Sequence, residues 1–344
     1  MKHKTFFWFI LPTLSAMVLF IAFPIVSVVI QSLHVEHEQV LITVQNCGPF
    51  GCEDTVTVDQ EATEALREAA PLGQFNGLGT YTNRAHLAFA ELGEAWNTTE
   101  TWGEFWTRVM SLPFYAALAF TLTFTFVVTP FVLVLGLAIA VGVNNLPKIY
   151  KGPTIFLSLL PMMVPPVVGS LIILWMVDAE GIIGATIQNI FNDPSLSVRA
   201  SAPLMWIMLI VYGIWSSIPF SFIVFYAGLQ TVPEDTMEAA QIDGATKWER
   251  MRYVVVPHLM PLVVFITLIQ LMDNFRVFEP IVSFQAGAFA QSLSTIIFND
   301  LRASGNPLYG SAGATSILTI LGVVILLSPV LVQTYRDFTR KSTH

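Results

Sequence analysis

The chain has 344 residues, of which 54% are hydrophobic and 12% charged, and its net charge is −8. Soluble domains carry about 25% charged residues, so this composition, with a mean hydropathy of +0.65, excludes an ordinary soluble fold and points to a membrane protein. In such a protein charge must be read side by side across the bilayer, so the acidic total says little about partners; no nucleic-acid partner is expected.

Six apolar segments reach the roughly 20 residues that a helix needs to cross a bilayer: 6–31, 113–143, 153–178, 203–229, 259–284 and 308–333. The expected fold class is an all-α polytopic membrane protein with six transmembrane helices and a small extracytoplasmic α+β insertion after the first. The first segment follows Lys2 and Lys4 like a signal peptide. Its apolar run exceeds the usual 7–15 residues or so, and no small-residue cleavage site follows, so it is read as a retained span. The resulting division is a first helix (1–33), an insertion (34–112), a membrane domain of five helices (113–335) and a tail (336–344).

The insertion is too long for a structureless loop. VLITVQN (40–46) and TVTV (55–58) read as a hairpin flanking NCGPFGC, which holds Cys47 and Cys52. Outside a bacterial inner membrane this spacing favours a disulfide; the competing zinc and redox readings lack further ligands or a supporting domain. QEATEALREAA (60–70) spaces Ala62, Leu66, Ala69 and Ala70 for one helical face. The stretch 84–109 holds Trp96, Trp102, Phe105 and Trp106 and reads as helical turns on the membrane surface, where amphipathic indole rings accumulate. His34, Glu36, His37 and Glu38 pose a metal question; solvated side chains are the default, and no metal is expected.

The third segment contains Pro161, Pro165 and Pro166, and the fourth contains Pro219 after Ser216 and Ser217. A helix-interior proline removes a backbone hydrogen bond, and in lipid the freed carbonyl needs another donor. These breaks either kink helices for packing or line a cavity. Near the end of the fifth segment stand Gln270, Asp273, Asn274, Arg276 and Glu279. Charges at such positions are expensive. Two readings compete: an i,i+3 ladder on one helix that neutralises itself, and polar groups lining a route for a hydrophilic solute.

Between the fourth and fifth segments lies TVPEDTMEAAQIDGATKWERMRYVVVPHLMP (231–261), a charged island. Thr231-x-x-Glu234 and Thr246-x-x-Glu249 each match a capping box. They predict two short helices, the first running to about Ile242, with Gly244 able to take positive φ at its end. Trp248, Met251 and Val255 form one stripe on the second helix, which Pro257 ends or kinks. Two capped helices bent at a glycine, with Ala239 and Ala240 allowing close approach between Glu238 and Asp243, make a docking surface for another protein. No G-x-x-x-x-G-K-[ST] occurs, nor G-x-S-x-G, H-E-x-x-H or G-x-G-x-x-G. The chain therefore cannot cradle nucleotide phosphates through a P-loop of its own, and an enzyme reading has almost nothing to stand on.

Orientation follows the basic residues. Lys2, Lys4, Lys148, Lys151, Lys247, Arg250, Arg252, Arg336, Arg340 and Lys341 cluster in short segments on one side, whereas Arg67, Arg84, Arg108, Arg199 and Arg302 are dispersed on the other. Both termini and the island are expected in the cytoplasm.

Glu238-Ala239-Ala240, Gly244 and Val254-Val255-Val256-Pro257 keep the spacing E-A-A-x3-G-x9-I-x-L-P. The stretch 231–257 thus resembles the EAA loop of bacterial ABC importer permeases, with Val at the Ile and Leu positions. FNGLGTY (75–81), RVFEPIVSF and GSAGATSIL (310–318) are similar to phrases of the sugar-permease branch, the maltose- and glycerol-phosphate-type proteins. QAGAFAQ replaces the usual Gly-Gly-Pro after the fifth span, and the cysteine-bearing insertion is outside the pattern.

The resemblance implies a multi-pass permease of the bacterial inner membrane. It would pair with a second permease subunit, two ATPase subunits that bind ATP and Mg, and a periplasmic solute-binding protein, holding no cofactor itself. Glu238, Ala239, Ala240, Asp243, Gly244 and Pro257 would couple it to the ATPase. By position, Ser217, Phe220, Asn274 and Arg276 would line the solute path for a carbohydrate or polyol. The alternatives are an anionic solute such as glycerol phosphate, met by Arg276, and an ion-coupled secondary transporter using Asp273, Arg276 and Glu279.

Overall fold

The computed structural model describes residues 3–48, 51–303 and 307–341, with side chains over 6–45, 54–303 and 307–336. The first apolar segment forms α1 (His3–Met17) and α2 (Phe23–Ser32), joined by a π-turn at Val18–Ala22. In the insertion follow β1 (His34–Val35), β2 (Leu41–Gly48), β3 (Gly51–Val58), α3 (Gln60–Ala69), β4 (Gln74–Phe75), α4 (Gly79–Thr82), α5 (Phe89–Thr98) and α6 (Trp102–Met110). Beyond it lie α7 (Pro113–Asn144), α8 (Lys148–Met163), α9 (Pro166–Val177), α10 (Ile182–Phe191) and α11 (Ala202–Leu229). Then come α12 (Glu234–Ile242), α13 (Lys247–Arg250), α14 (Val256–Phe275), α15 (Glu279–Ser283), α16 (Leu293–Leu301) and α17 (Tyr309–Lys341). Six helical stretches among the described residues are long and apolar enough to cross a membrane, and the small β insertion follows the first of them.

The third segment is broken at its proline cluster, one of the two outcomes the prolines allow. α8 stops at Met163 and α9 starts at Pro166, with Val164 (ψ 125°) and Pro165 (ψ 135°) extended between them. A residue before proline is pushed out of the α region, and in Val164-Pro165-Pro166 this acts on two residues in succession. The single prolines Pro153 and Pro161 ride inside α8. The fifth segment also ends earlier than expected for 259–284. It ends at Phe275, with Arg276 as C-cap and a new helix starting at Glu279, so no single helical ladder carries Asp273, Arg276 and Glu279.

Two compact units form. One comprises Met1–Ala116 with Ile296–Leu321, the other Ala117–Thr295 with Gly322–His344. In the first, β2 and β3 pair in a register that sets Cys47 opposite Cys52; their side chains, and with them the expected disulfide, lie outside the described residues. On α3 the buried position is Thr63, while Leu66 is exposed. The expected Ala62–Leu66 face is therefore not the packed one, because Thr63 is held by the Val40 N–H and its own hydroxyl caps back to Asp59.

The phrases 75–81 and 310–318 meet around the end of α2. Tyr81 Oη lies 2.6 Å from Ser32 Oγ, Asn76 N–H donates to Leu33 O, and a Cβ at Gly310 would overlap the His34 carbonyl. Glu36 accepts from the Gly310 N–H, His34 Nδ1 lies against Ile30 O and His37 Nε2 against Ala70 O, so these side chains serve separate partners.

Behind them, His86 is fully buried. Its Nδ1 is 2.9 Å from Asn83 Oδ1, and its Nε2 is 3.0 Å from Thr315 Oγ1 and 3.1 Å from Ser311 O. Ser311 Oγ in turn donates to Asp300. Burial pushes His86 below the ordinary imidazole value and Asp300 above the ordinary carboxylate value.

In the second unit one apolar cluster joins Phe120, Phe124 and Val128 of α7 to Leu209 and Tyr212 of α11, Ile281 of α15 and Phe284 at its C-cap. A second joins Ala140 and Val143 to Phe222, Phe225, Val255, Leu259 and Ile266. Close approach uses small residues, as helix contacts in lipid do: a Cβ on Gly213 would lie 2.5 Å from the Phe124 ring.

Candidate functional site: the charged knuckle and the cavity at the helix breaks

The island folds as α12 and α13. The end of α12 is a complete Schellman motif. Gly244 has φ +78°, its N–H donates to Gln241 O, and Ala245 N–H donates to Ala240 O. The second alanine of EAA thus supplies a carbonyl that the turn satisfies, and the glycine four residues on makes the turn possible.

At α13 the capping box forms: Glu249 N–H donates to Thr246 Oγ1, and Thr246 N–H donates to Glu249 Oε2 at 2.7 Å. The box expected at Thr231–Glu234 does not form. Pro233 is the N-cap of α12 without a side-chain bond, and the Thr231 hydroxyl donates to Gly228 O and lies 3.1 Å from His258 Nε2.

Arg250 Nη1 donates to Gln241 Oε1 across the bend. Met237 and Met251 pack onto the second apolar cluster, which includes Val255, and so root the knuckle in the span domain. Trp248, expected on the same stripe, is 71% exposed, as are Ile242 at 86% and Tyr253 at 70%. Glu238, Ala239, Asp243 and Gly244 are exposed and Ala240 half-buried.

Pro257 does not end the second helix. A π-turn at Met251–Val255 precedes it, with Val256 N–H bonding Met251 O, and the helix runs on to Phe275. The wider turn eases the proline ring past the carbonyl it would strike in a regular helix. The same arrangement, a π-turn two residues ahead of a proline, occurs at Val18–Ala22 before Pro24.

The breaks in the third and fifth segments face one cavity of about 320 Å³. Pro161, Met162, Val164 and Pro166 line it from one break, and Asp273, Asn274, Arg276, Val277 and Glu279 from the other. Ser216, Ser217 and Tyr212 line it from α11. Three of the four candidates, Ser217, Asn274 and Arg276, are therefore brought together. Phe220 is not among the lining residues; its ring lies 6.5 Å from that of Phe265.

Asn274 is buried and donates to Thr129 Oγ1 at 3.1 Å. Gln270, one turn earlier on the same face, is buried too. Arg276 and Asp273 pair at 3.2 Å and stay more than half exposed, which leaves a guanidinium and two carboxylates, Asp273 and Glu279, on the cavity wall.

Two contributors escaped the sequence reading. Tyr212 donates to Pro166 O at 2.8 Å and so fixes the first turn after the proline break; its spacing of i, i+4, i+5 to Ser216 and Ser217 was the available signal. Thr129 closes a buried stripe Thr121, Thr125, Thr129 on α7, visible as i, i+4, i+8 in an otherwise apolar run.

Residues 132–339 match the family described as binding-protein-dependent transport system inner membrane component. The trehalose transport system permease protein SugA of Mycobacterium tuberculosis is 31% identical over 234 residues, covering 68% of this chain and 74% of that protein. The trehalose/maltose transport system permease protein MalF of Thermococcus litoralis is 29% identical over 229 residues, covering 63% and 74%. Among solved structures, a chain of a bacterial alginate ABC transporter in complex with an alginate pentasaccharide-bound periplasmic protein aligns with a TM-score of 0.58 at 21% identity, covering 73% of this chain and 88% of that chain. At that identity the likeness concerns the fold.

Proposed function

Because the chain belongs to the family of binding-protein-dependent transport system inner membrane components, we propose that it carries a carbohydrate or polyol inward through the cavity at the helix breaks. The chain is a multi-pass inner-membrane permease subunit, not an enzyme. The observation that carries the substrate class is its 31% identity to a permease named for trehalose. The cavity chemistry agrees. Hydroxyls of Ser216, Ser217 and Tyr212 suit a polyhydroxy solute, whereas two carboxylates against one paired guanidinium disfavour an anion such as glycerol phosphate. An ion relay along Asp273, Arg276 and Glu279, which line the same cavity, is the reading that the dependence of uptake on ATP or on an ion gradient decides.

In this reading the chain pairs with a second permease, receives solute from a periplasmic binding protein and is driven by two ATPase subunits that bind ATP and Mg. Both termini and the knuckle face the cytoplasm, following the basic residues. Glu238 to Gly244 dock in the ATPase, and closure there moves the spans as rigid bodies. Met237 and Met251 transmit the stroke because they tie the exposed knuckle to the packed spans.

Reconstitution of the assembled transporter in proteoliposomes tests this. Uptake of labelled trehalose or maltose should require the binding protein and internal ATP. Uptake that persists without ATP but collapses with the ion gradient would refute the mechanism. ATP-driven uptake of glycerol phosphate but of no sugar would refute the substrate class.

A further inference from the structure

We propose that α5 and α6 form a rigid aromatic wedge seated in the membrane–water interface, with lipid headgroups and upper acyl chains as its occupant. Both helices are amphipathic. On α6, Trp102, Phe105, Trp106 and Val109 share one face opposite Glu104, Thr107 and Arg108; on α5, Phe89 and Trp96 oppose Glu91 and Glu94. Of these apolar side chains only Val109 is buried, while Trp96, Trp102 and Trp106 are 62%, 68% and 54% exposed.

The rings do not dangle. Trp96 meets Trp102 at 5.8 Å and Phe105 at 5.7 Å, and Phe105 meets Trp106 at 6.2 Å, all edge to face. Arg108 Nη1 donates to Thr98 Oγ1 at 2.6 Å and closes the hairpin on its polar side. Such contacts hold rings in fixed relation, so the exposed face is a preset surface.

Lipid is the occupant because the wedge is continuous with a membrane span. α6 ends at Met110 and α7, an apolar span, begins at Pro113. Three extended residues reach at most about 11 Å, and the interfacial layer is itself about 5–8 Å deep on each side. Indole rings with an apolar body and a polar N–H favour that layer. Because the opposite face is acidic, apolar burial and not attraction to anionic lipid would hold the wedge. The side of the membrane rests on the orientation proposed above; the seat in the interface does not.

The test is fluorine NMR of the full chain, labelled with fluorotryptophan and reconstituted in lipid nanodiscs, with the three signals assigned by W96F, W102F and W106F. All three signals should vanish with lipid spin-labelled near the glycerol. They should persist with a water-soluble gadolinium chelate, equally in neutral and anionic lipid. Loss of the signals to gadolinium with none to the labelled lipid overturns the proposal. So does a shift on adding a disaccharide alone, which would mark a sugar-stacking platform, and so does protection that appears only with the solute-binding protein.

Discussion

The two ends of α14 differ in where their structure is written. At its start, the knuckle is specified by a handful of neighbours: Gly244 at φ +78°, the Thr246–Glu249 box and the carbonyls of Ala240 and Gln241 all lie within ten residues. At its end, the cavity is assembled from distant segments: Asn274 reaches Thr129, and the opposite wall comes from Val164 to Pro166. A locally encoded element can survive changes in the spans around it and deliver force as a unit. An assembled cavity must change when those spans move, which suits a site that alternates between two faces.

The largest expected effect comes from breaking the local code. Gly244→Pro demands φ near −65° where the chain has +78° and would abolish solute uptake and the binding-protein-stimulated ATP hydrolysis of the assembled transporter, with insertion retained. Glu238→Lys should do the same through the docking surface. If either variant accumulates solute normally, the coupling role is wrong. Gly244→Ala sharpens the point, because a Cβ there meets nothing within 4 Å. Its cost is backbone strain alone, about 1–2 kcal/mol, and should show as partial uncoupling.

Buried His86 and half-buried Asp300 in the first unit predict a pH dependence. His86 is held below its ordinary value of 6.5 by burial. The unfolded chain therefore binds the proton more readily, and His86's contribution is complete above 6.5 and lost as pH falls from there toward the depressed value. Asp300 runs the other way: its value is raised above 3.8, so its contribution grows as pH falls through the raised value toward 3.8. Melting of the detergent-solubilised protein should weaken on acidification below about 6.5, and His86→Gln should flatten that limb. An unchanged limb in the variant would assign the dependence elsewhere.

Assembled contacts in the spans should respond more modestly. Asn274→Ala removes the bond to buried Thr129, and interhelical bonds in lipid average about 0.6 kcal/mol with a maximum near 1.7. The unfolding free energy should fall by that much, and Thr129→Ala should add little to it in the double variant.

The sequence made the span number, the bend at Gly244 and the second capping box legible because each rests on composition or on partners a few residues away. Proline was legible only in part. Pro153, Pro161, Pro219 and Pro257 all lie within helical runs, and the break falls where Pro165 and Pro166 restrict two successive residues. Of the polar ladder at 273–279 the first i,i+3 pair, Asp273–Arg276, forms; Glu279 does not continue it because the helix ends at Phe275 and Glu279 opens the next one. Tyr212 and Thr129 went unread because their partners, Pro166 and Asn274, are 46 and 145 residues away.

The smallest effect separates the two threonines that match one motif. Thr246→Ala removes a cap that satisfies the Glu249 amide and should cost about 0.5 kcal/mol, the low end for N-caps, since the site is exposed. Thr231 caps nothing on α12; its hydroxyl returns to Gly228 O, a carbonyl that also accepts from the Thr231 N–H. Thr231→Ala should therefore leave amide exchange in α12 unchanged, while Thr246→Ala speeds exchange at Glu249. Equal acceleration in both helices would mean that the Thr231 hydroxyl turns to α12 in the membrane and that the first box forms after all. The asymmetry has a cause in the chain: Pro233 is itself the N-cap of α12, its fixed φ pre-organising the entry without a side-chain bond.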